Sequence, residues 1–121
     1  LSDAAAAQVL ASEEARKAVQ ISLVSALAAT YIALTADDEL LRVTQQTVAT
    51  RDDSLRLIKL PFDNGVTSEL DLRQAESLLE AARVSLAQLT RQRALDENAL
   101  VLLVGAVALL FVKIPKHVRV R

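Results

Sequence analysis

The residues with chemistry to offer are few, and most of them lie together. Residues 62–71 read Phe62-Asp63-Asn64-Gly65-Val66-Thr67-Ser68-Glu69-Leu70-Asp71. Gly65 can take the left-handed conformation that ends a helix, and Asn64 tolerates it nearly as well. The Ser68 hydroxyl is placed to accept from the amide three residues on. Asp71 closes a capping box there and sets a negative charge at the positive end of the next helix. This is the chemistry of a chain reversal. Nothing comparable is arranged for catalysis: no nucleophile–base pair and no Gly-rich phosphate loop occur, so the reading is not an enzyme. The chain has no Cys, which excludes disulfides and thiolate chemistry. His117 is the single His and has no further ligand at metal spacing, so neither metal nor cofactor is expected. A net charge of −1 leaves no electrostatic footprint for nucleic acid.

The elements that must hold this corner are long helices. With only 2 Gly and 2 Pro in the chain, both Pro61 and Gly65 fall at the corner. No breaker interrupts residues 2–60, which Ser2 or Asp3 can cap, and at about 1.5 Å per residue they would extend about 90 Å. The composition is 52% hydrophobic but 2% aromatic, which suits narrow helical seams and cannot fill a broad core. Leu27, Leu34, Leu41, Val48, Leu55 and Phe62 recur at every seventh position. The partner row is read as Val24, Tyr31, Asp38, Gln45 and Asp52, apolar at first and then polar. A two-stranded coiled coil would keep both rows apolar. After the corner two sevenfold series run in parallel: Leu72, Leu79, Leu86, Arg93, Leu100, and Ala75, Ala82, Leu89, Asp96, Leu103. Their alanines allow close approach of the backbones near the turn, and the strict period implies left-handed supercoiling.

The expected fold is all-α, a long antiparallel helical hairpin. Its parts are a descending helix over 2–61, a tip turn over 62–68, a return helix over 69–104 and an atypical tail over 105–121. Pro61 removes an amide bond to Leu57 and is expected to loosen the first arm before Phe62. The tail is read as a different segment: apolar without helical period to Val112, then basic, with strand-like alternation in Val118-Arg119-Val120-Arg121. Pairs four apart (Glu13 with Lys17, Asp38 with Arg42, Asp52 with Arg56, Glu69 with Arg73) decorate solvated faces. The uncharged run from Ala99 to Val112 is shorter than the roughly 20 residues of a membrane-spanning helix. Leu1-Ser2-Asp3 opens without Met or a basic stretch, so the chain reads as a segment of something larger. Leu23, Leu40, Leu57 and Leu78 would be exposed on a lone hairpin, which calls for neighbouring helices in a bundle or barrel.

These residues carry a family resemblance. The run from Phe62 through Gly65, Val66, Asp71 and Ala75, continuing by Ala81-Ala82-Arg83, Leu86-Ala87, Gln92-Arg93 and Asn98 to Gly105, resembles TolC-type outer-membrane efflux channels of the OprM/NodT branch. The stretch from Ala18 to Tyr31 is similar to the long descending helix of that family, and the likeness covers roughly Ser2 to Gly105. It implies a trimer in which each protomer holds two such hairpins, together a twelve-helix periplasmic tunnel hung from a β-barrel in the outer membrane. The corner would be the periplasmic tip. There the resemblance puts a gate carboxylate on Asp71, a tip aromatic on Phe62, and docking of a periplasmic adaptor protein on Gly65, Val66 and Thr67. A ring of such carboxylates from symmetry-related chains would select cations. An inner-membrane pump is the implied further partner. Pro61, the lack of β-strand segments and the tail beyond Gly105 depart from the family pattern. Two other readings stand beside it: the helical hairpin of the adaptor itself, and a self-associating helical bundle without transport activity.

Overall fold

A computed structural model describes residues 2–111. The expected strand-like basic tail and His117 lie outside the described residues. Two helices account for nearly all of the described chain: α1, Asp3–Asp63, and α2, Glu69–Phe111, with no strand among the described residues. The protein is an all-α helical hairpin. Ser2 caps α1, its hydroxyl accepting from the Ala5 amide at 3.4 Å and its carbonyl from the Ala6 amide at 3.2 Å. Such a cap satisfies donors that the first helical turn leaves free.

Pro61 does not end α1. The helix passes through it to Asp63. Proline withholds the amide that would bond the Leu57 carbonyl, but it stands in the last turn, where the carbonyls that follow find donors beyond the helix. The Val66 amide donates to the Pro61 carbonyl at 2.8 Å, and the Asn64 amide to Leu60 at 3.3 Å. The helix therefore continues past the proline to Asp63, where the turn closes its end.

By contacts the chain forms two units, one of Leu1–Ile32 with Glu97–Arg121 and one of Ala33–Asp96. The second unit holds the corner and the only buried side chains among the described residues, Leu72, Ala75 and Leu79. They stand three and four apart on one face of α2, where Ala75 lets the backbones approach. Leu79 is 2% exposed. Along the rest of that unit, both series on α2 (Ala82, Leu86, Leu89, Arg93 and Asp96) are half-buried, as are Leu34, Leu41, Val48, Leu55 and Phe62 on α1.

The second row of α1 is not the expected one. Leu23, Thr30, Asp37, Thr44 and Ile58 are half-buried, whereas Val24, Tyr31, Asp38 and Gln45 are exposed. Of the expected row only Asp52 is half-buried. A helix row has neighbours both three and four residues away, so a leucine repeat permits a partner row on either side. Tertiary packing chose the polar side. Its threonines suit a partly dry position because each hydroxyl turns back on its own helix, Thr30 to the Ala26 carbonyl and Thr44 to that of Leu40, both at 2.8 Å. Leu23 consequently lies in the row, while Leu40, Leu57 and Leu78 are exposed.

In the unit of Leu1–Ile32 and Glu97–Arg121, α2 runs through Gly105 to Phe111, seven residues past the expected end at 104. The sevenfold series continue as half-buried Val107 and Leu110. Residues 105–111 thus belong to the helix, and the apolar run hides a period instead of lacking one. Each helix also contains an 18-residue stretch long and apolar enough to cross a membrane by length and composition, none of it buried. Length and composition are the only criteria these stretches meet. The same character suits a helix flanked by further helices.

Charged side chains mostly pair along a helix. Arg56 meets Asp52 at 2.8 Å and Arg73 meets Glu69 at 3.6 Å, as the spacing suggests. Lys17 turns to Glu14, and Arg42 to Glu39 at 2.6 Å. Asp38, expected to pair with Arg42, is instead hydrogen-bonded by Arg93 across the hairpin. The Arg42 hydrogen bond holds the exposed Glu39 carboxyl below its ordinary pKa.

The small buried cluster gives a direct test. Leu79→Ala should destabilise the helical state by about 3 kcal/mol, the usual cost of emptying a buried leucine site. Leu57→Ala, on an exposed face, should cost under about 0.5 kcal/mol in the isolated chain. Urea unfolding followed by circular dichroism measures both.

Candidate tip site

The corner is built from two interlocked caps. Gly65 sits at φ 74, the left-handed region that glycine enters without steric cost. Its amide donates to the Phe62 carbonyl at 2.9 Å while that of Val66 reaches Pro61. This pair of bonds closes a helix by a left-handed residue. The Asn64 side-chain amide adds a bond to the Leu60 carbonyl at 3.0 Å. Three residues later the next helix starts. The Ser68 hydroxyl accepts from the Asp71 amide at 3.3 Å, and the Ser68 carbonyl from the Leu72 amide at 3.3 Å. Glu69 and Asp71 lie in the first turn of α2, where negative charge meets the positive end of the helix.

The candidate residues fall into three places. Phe62 is half-buried at the end of the leucine row. Gly65 and Val66 form the apex, with Val66 81% exposed and open space where a Gly65 side chain would begin. Thr67 and Asp71 line a shallow groove of about 330 Å³ together with Arg51, Ser54, Ile58 and Gln74. Thr67 and Asp71 therefore share a site, while Phe62 belongs to the packing beside it. Asp71 is exposed, and Arg51 lines the same groove.

Arg51, Ser54 and Gln74 were not singled out by sequence. The available signal was the true second row of α1: stepping by seven from Asp37 through Thr44 leads to Arg51 and Ile58. The groove is too open, and its polar groups too mixed, to bind a small molecule tightly. What it offers is a charged, partly apolar recess beside an exposed apex. Among the described residues no cluster of His, Cys, Asp or Glu is arranged to hold a metal ion.

Comparison with known proteins fits this architecture. Residues 1–106 match the outer membrane efflux protein family, and the chain belongs to that family. It is 42% identical over 105 residues to the toluene efflux pump outer membrane protein TtgF of Pseudomonas putida, covering 87% of this chain and 22% of that protein. The solvent efflux pump outer membrane protein SrpC of Pseudomonas putida is 42% identical over 106 residues, 88% of this chain and 23% of that one. Outer membrane protein OprJ of Pseudomonas aeruginosa is 39% identical over 106 residues, 88% of this chain and 22% of that one. The chain spans under a quarter of the length of these curated relatives. Membership of the outer membrane family displaces the adaptor reading, and none of these relatives is described as an enzyme.

The corner's geometry sets the cost of altering it. Gly65→Ala meets no steric obstacle yet must hold positive φ, so it should cost about 1 kcal/mol. Ser68→Ala removes the N-cap and should cost a similar ~1 kcal/mol. Thermal unfolding of the two variants and of their combination checks whether both caps contribute.

Proposed function

We propose that this hairpin is a wall segment of the periplasmic tunnel of an outer-membrane efflux channel, with the corner at the tunnel's periplasmic end. The observation that carries the reading is the exposure of large apolar side chains on both helices away from the seam. Leu40, Val43 and Leu57 on α1, and Leu78, Val84 and Leu95 on α2, are between 44% and 71% exposed. A pair of helices with apolar surface left over needs neighbours. Closing such pairs around an aqueous lumen gives every helix two neighbours and one wet face, which also accounts for a seam that mixes Leu with Thr, Asp and Arg.

In this reading the conduit is passive. Transport energy comes from an inner-membrane pump, and a periplasmic adaptor protein bridges pump and channel by docking on the exposed Gly65-Val66 apex and Thr67. Asp71 supplies the charge at the closed end of the tunnel. Copies related by the trimer axis would bring equivalent carboxylates together, so they attract cations and repel one another. Phe62, packed at the end of the seam, sets how the tip leans on the rest of the hairpin. Opening is a realignment of hairpins at their tips, and the balance of charge repulsion against packing decides its ease.

Single-channel recording of the full-length parent tests the gate. Asp71→Asn keeps the backbone amide that Ser68 caps and removes only the charge, so cation preference should fall. Unchanged conductance and unchanged selectivity together would refute the assignment. The docking surface is tested separately: Val66→Asp should weaken adaptor binding about tenfold or more while the channel still assembles, as loss of an exposed apolar anchor does.

A further inference from the structure

The seam of the Ala33–Asp96 unit contains a contact that conduction does not require. Asp37 on α1 is half-buried, and its Oδ2 is covered from solvent without a hydrogen-bond partner so long as its neighbours are ionised. Facing it from α2 is a second carboxyl, Asp96, within side-chain hydrogen-bonding reach. Asp96 is held in place by the Gln92 amide, which donates to its Oδ1 at 3.2 Å. Two ionised carboxylates so placed repel each other, whereas two carboxyls with one proton between them form a strong charge-assisted bond.

The charged groups around Asp37 are Asp96 and Arg93 on α2 and Asp38 beside it on α1. Arg93 is the nearby cation; its Nε donates to Asp38, and its charge also favours the ionised form of Asp37 without outweighing the acidic neighbours. We propose that Asp37 and Asp96 share a single proton that clamps the two helices at this level, and that its loss as the pH rises loosens the hairpin there. The device belongs to the hairpin and holds whether or not the hairpin serves a channel.

The titration agrees in sign. The hydrogen bond with Asp96 raises the Asp37 pKa above its ordinary 3.8, helped by desolvation and by the negative charges of Asp96 and Asp38, against the opposing pull of Arg93. A carboxyl whose pKa is higher in the folded state binds its proton more tightly there. The stabilisation is complete below 3.8 and is lost as the pH rises through the raised value.

The test follows helicity and Tm of the full chain from about pH 4 to about pH 7.5. In Asp37→Asn the side-chain amide can donate to Asp96 without a titrating proton. The unmodified chain should lose about 4 °C or more in Tm over this range relative to the variant. At the upper end the variant should be the more stable of the two. If the unmodified chain is already unfolded at neutral pH, recovery of helicity in the variant supports the clamp and its absence overturns it. Parallel pH slopes overturn it as well. Carbon-13 titration of the side-chain carboxyls gives a second check, since an Asp37 midpoint in the ordinary carboxylate range is incompatible with a shared proton.

Discussion

The chain's architecture depends on one backbone event, the reversal at Gly65. A left-handed residue there lets the Phe62 and Pro61 carbonyls be satisfied from beyond the helix, and three residues later Ser68 satisfies a donor of the next helix. Both helix ends are therefore closed with hydrogen bonds and without a long loop. The short connection sets which residues of α2 lie opposite which residues of α1, so that Arg93 reaches Asp38 and Arg83 reaches Asp52 across the hairpin. A slip by one residue would rotate every leucine of the seam out of register. Pro61 illustrates the same control. It stands in the last turn, and the corner supplies donors to the carbonyls of Leu60, Pro61 and Phe62.

The seam is well ordered but small. Among the described residues only three side chains, all near the corner, are buried, and the seam leucines elsewhere are half-covered. A pair of helices cannot offset the entropy of ordering so many residues with so little dry surface. The exposed leucines and valines on both helices are consistent with a segment whose remaining stabilisation comes from neighbours. Membership of the outer membrane efflux protein family gives that incompleteness a context. A wall element has to be apolar at its sides and tolerant of water on one face, and polar seam positions such as Thr30, Asp37 and Thr44 are compatible with that demand.

Polar seam residues also change what the seam can do. An all-leucine interface has one state across the ordinary pH range, but a carboxyl pair has two. Asp38 and Arg93 pair with each other, leaving Asp37 against Asp96. Three carboxyls and one guanidinium at this level thus resolve into one ion pair and one acidic contact. That division depends on which residues lie opposite one another, and composition carries no trace of it.

Much of the fold was legible in the residues. The two sevenfold series of α2 could be traced because leucines and alanines mark both rows and no alternative row is as apolar. The corner was legible because Asn-Gly followed by Ser and acidic residues has a specific capping chemistry, and this placed Phe62, Gly65, Val66, Thr67 and Asp71 in one neighbourhood. The second row of α1 was not legible: rows three and four residues away from the leucines are equally available to a helix, and only contact with α2 selects Leu23, Thr30, Asp37 and Thr44 over Val24, Tyr31, Asp38 and Gln45. The continuation of α2 past Gly105 was not legible either, because a uniformly apolar run masks its period. Local propensity and capping, which act within a few residues, were thus determined by the sequence alone. Which polar side chains meet across the hairpin was decided by tertiary packing, because it depends on the rotation of one helix against another.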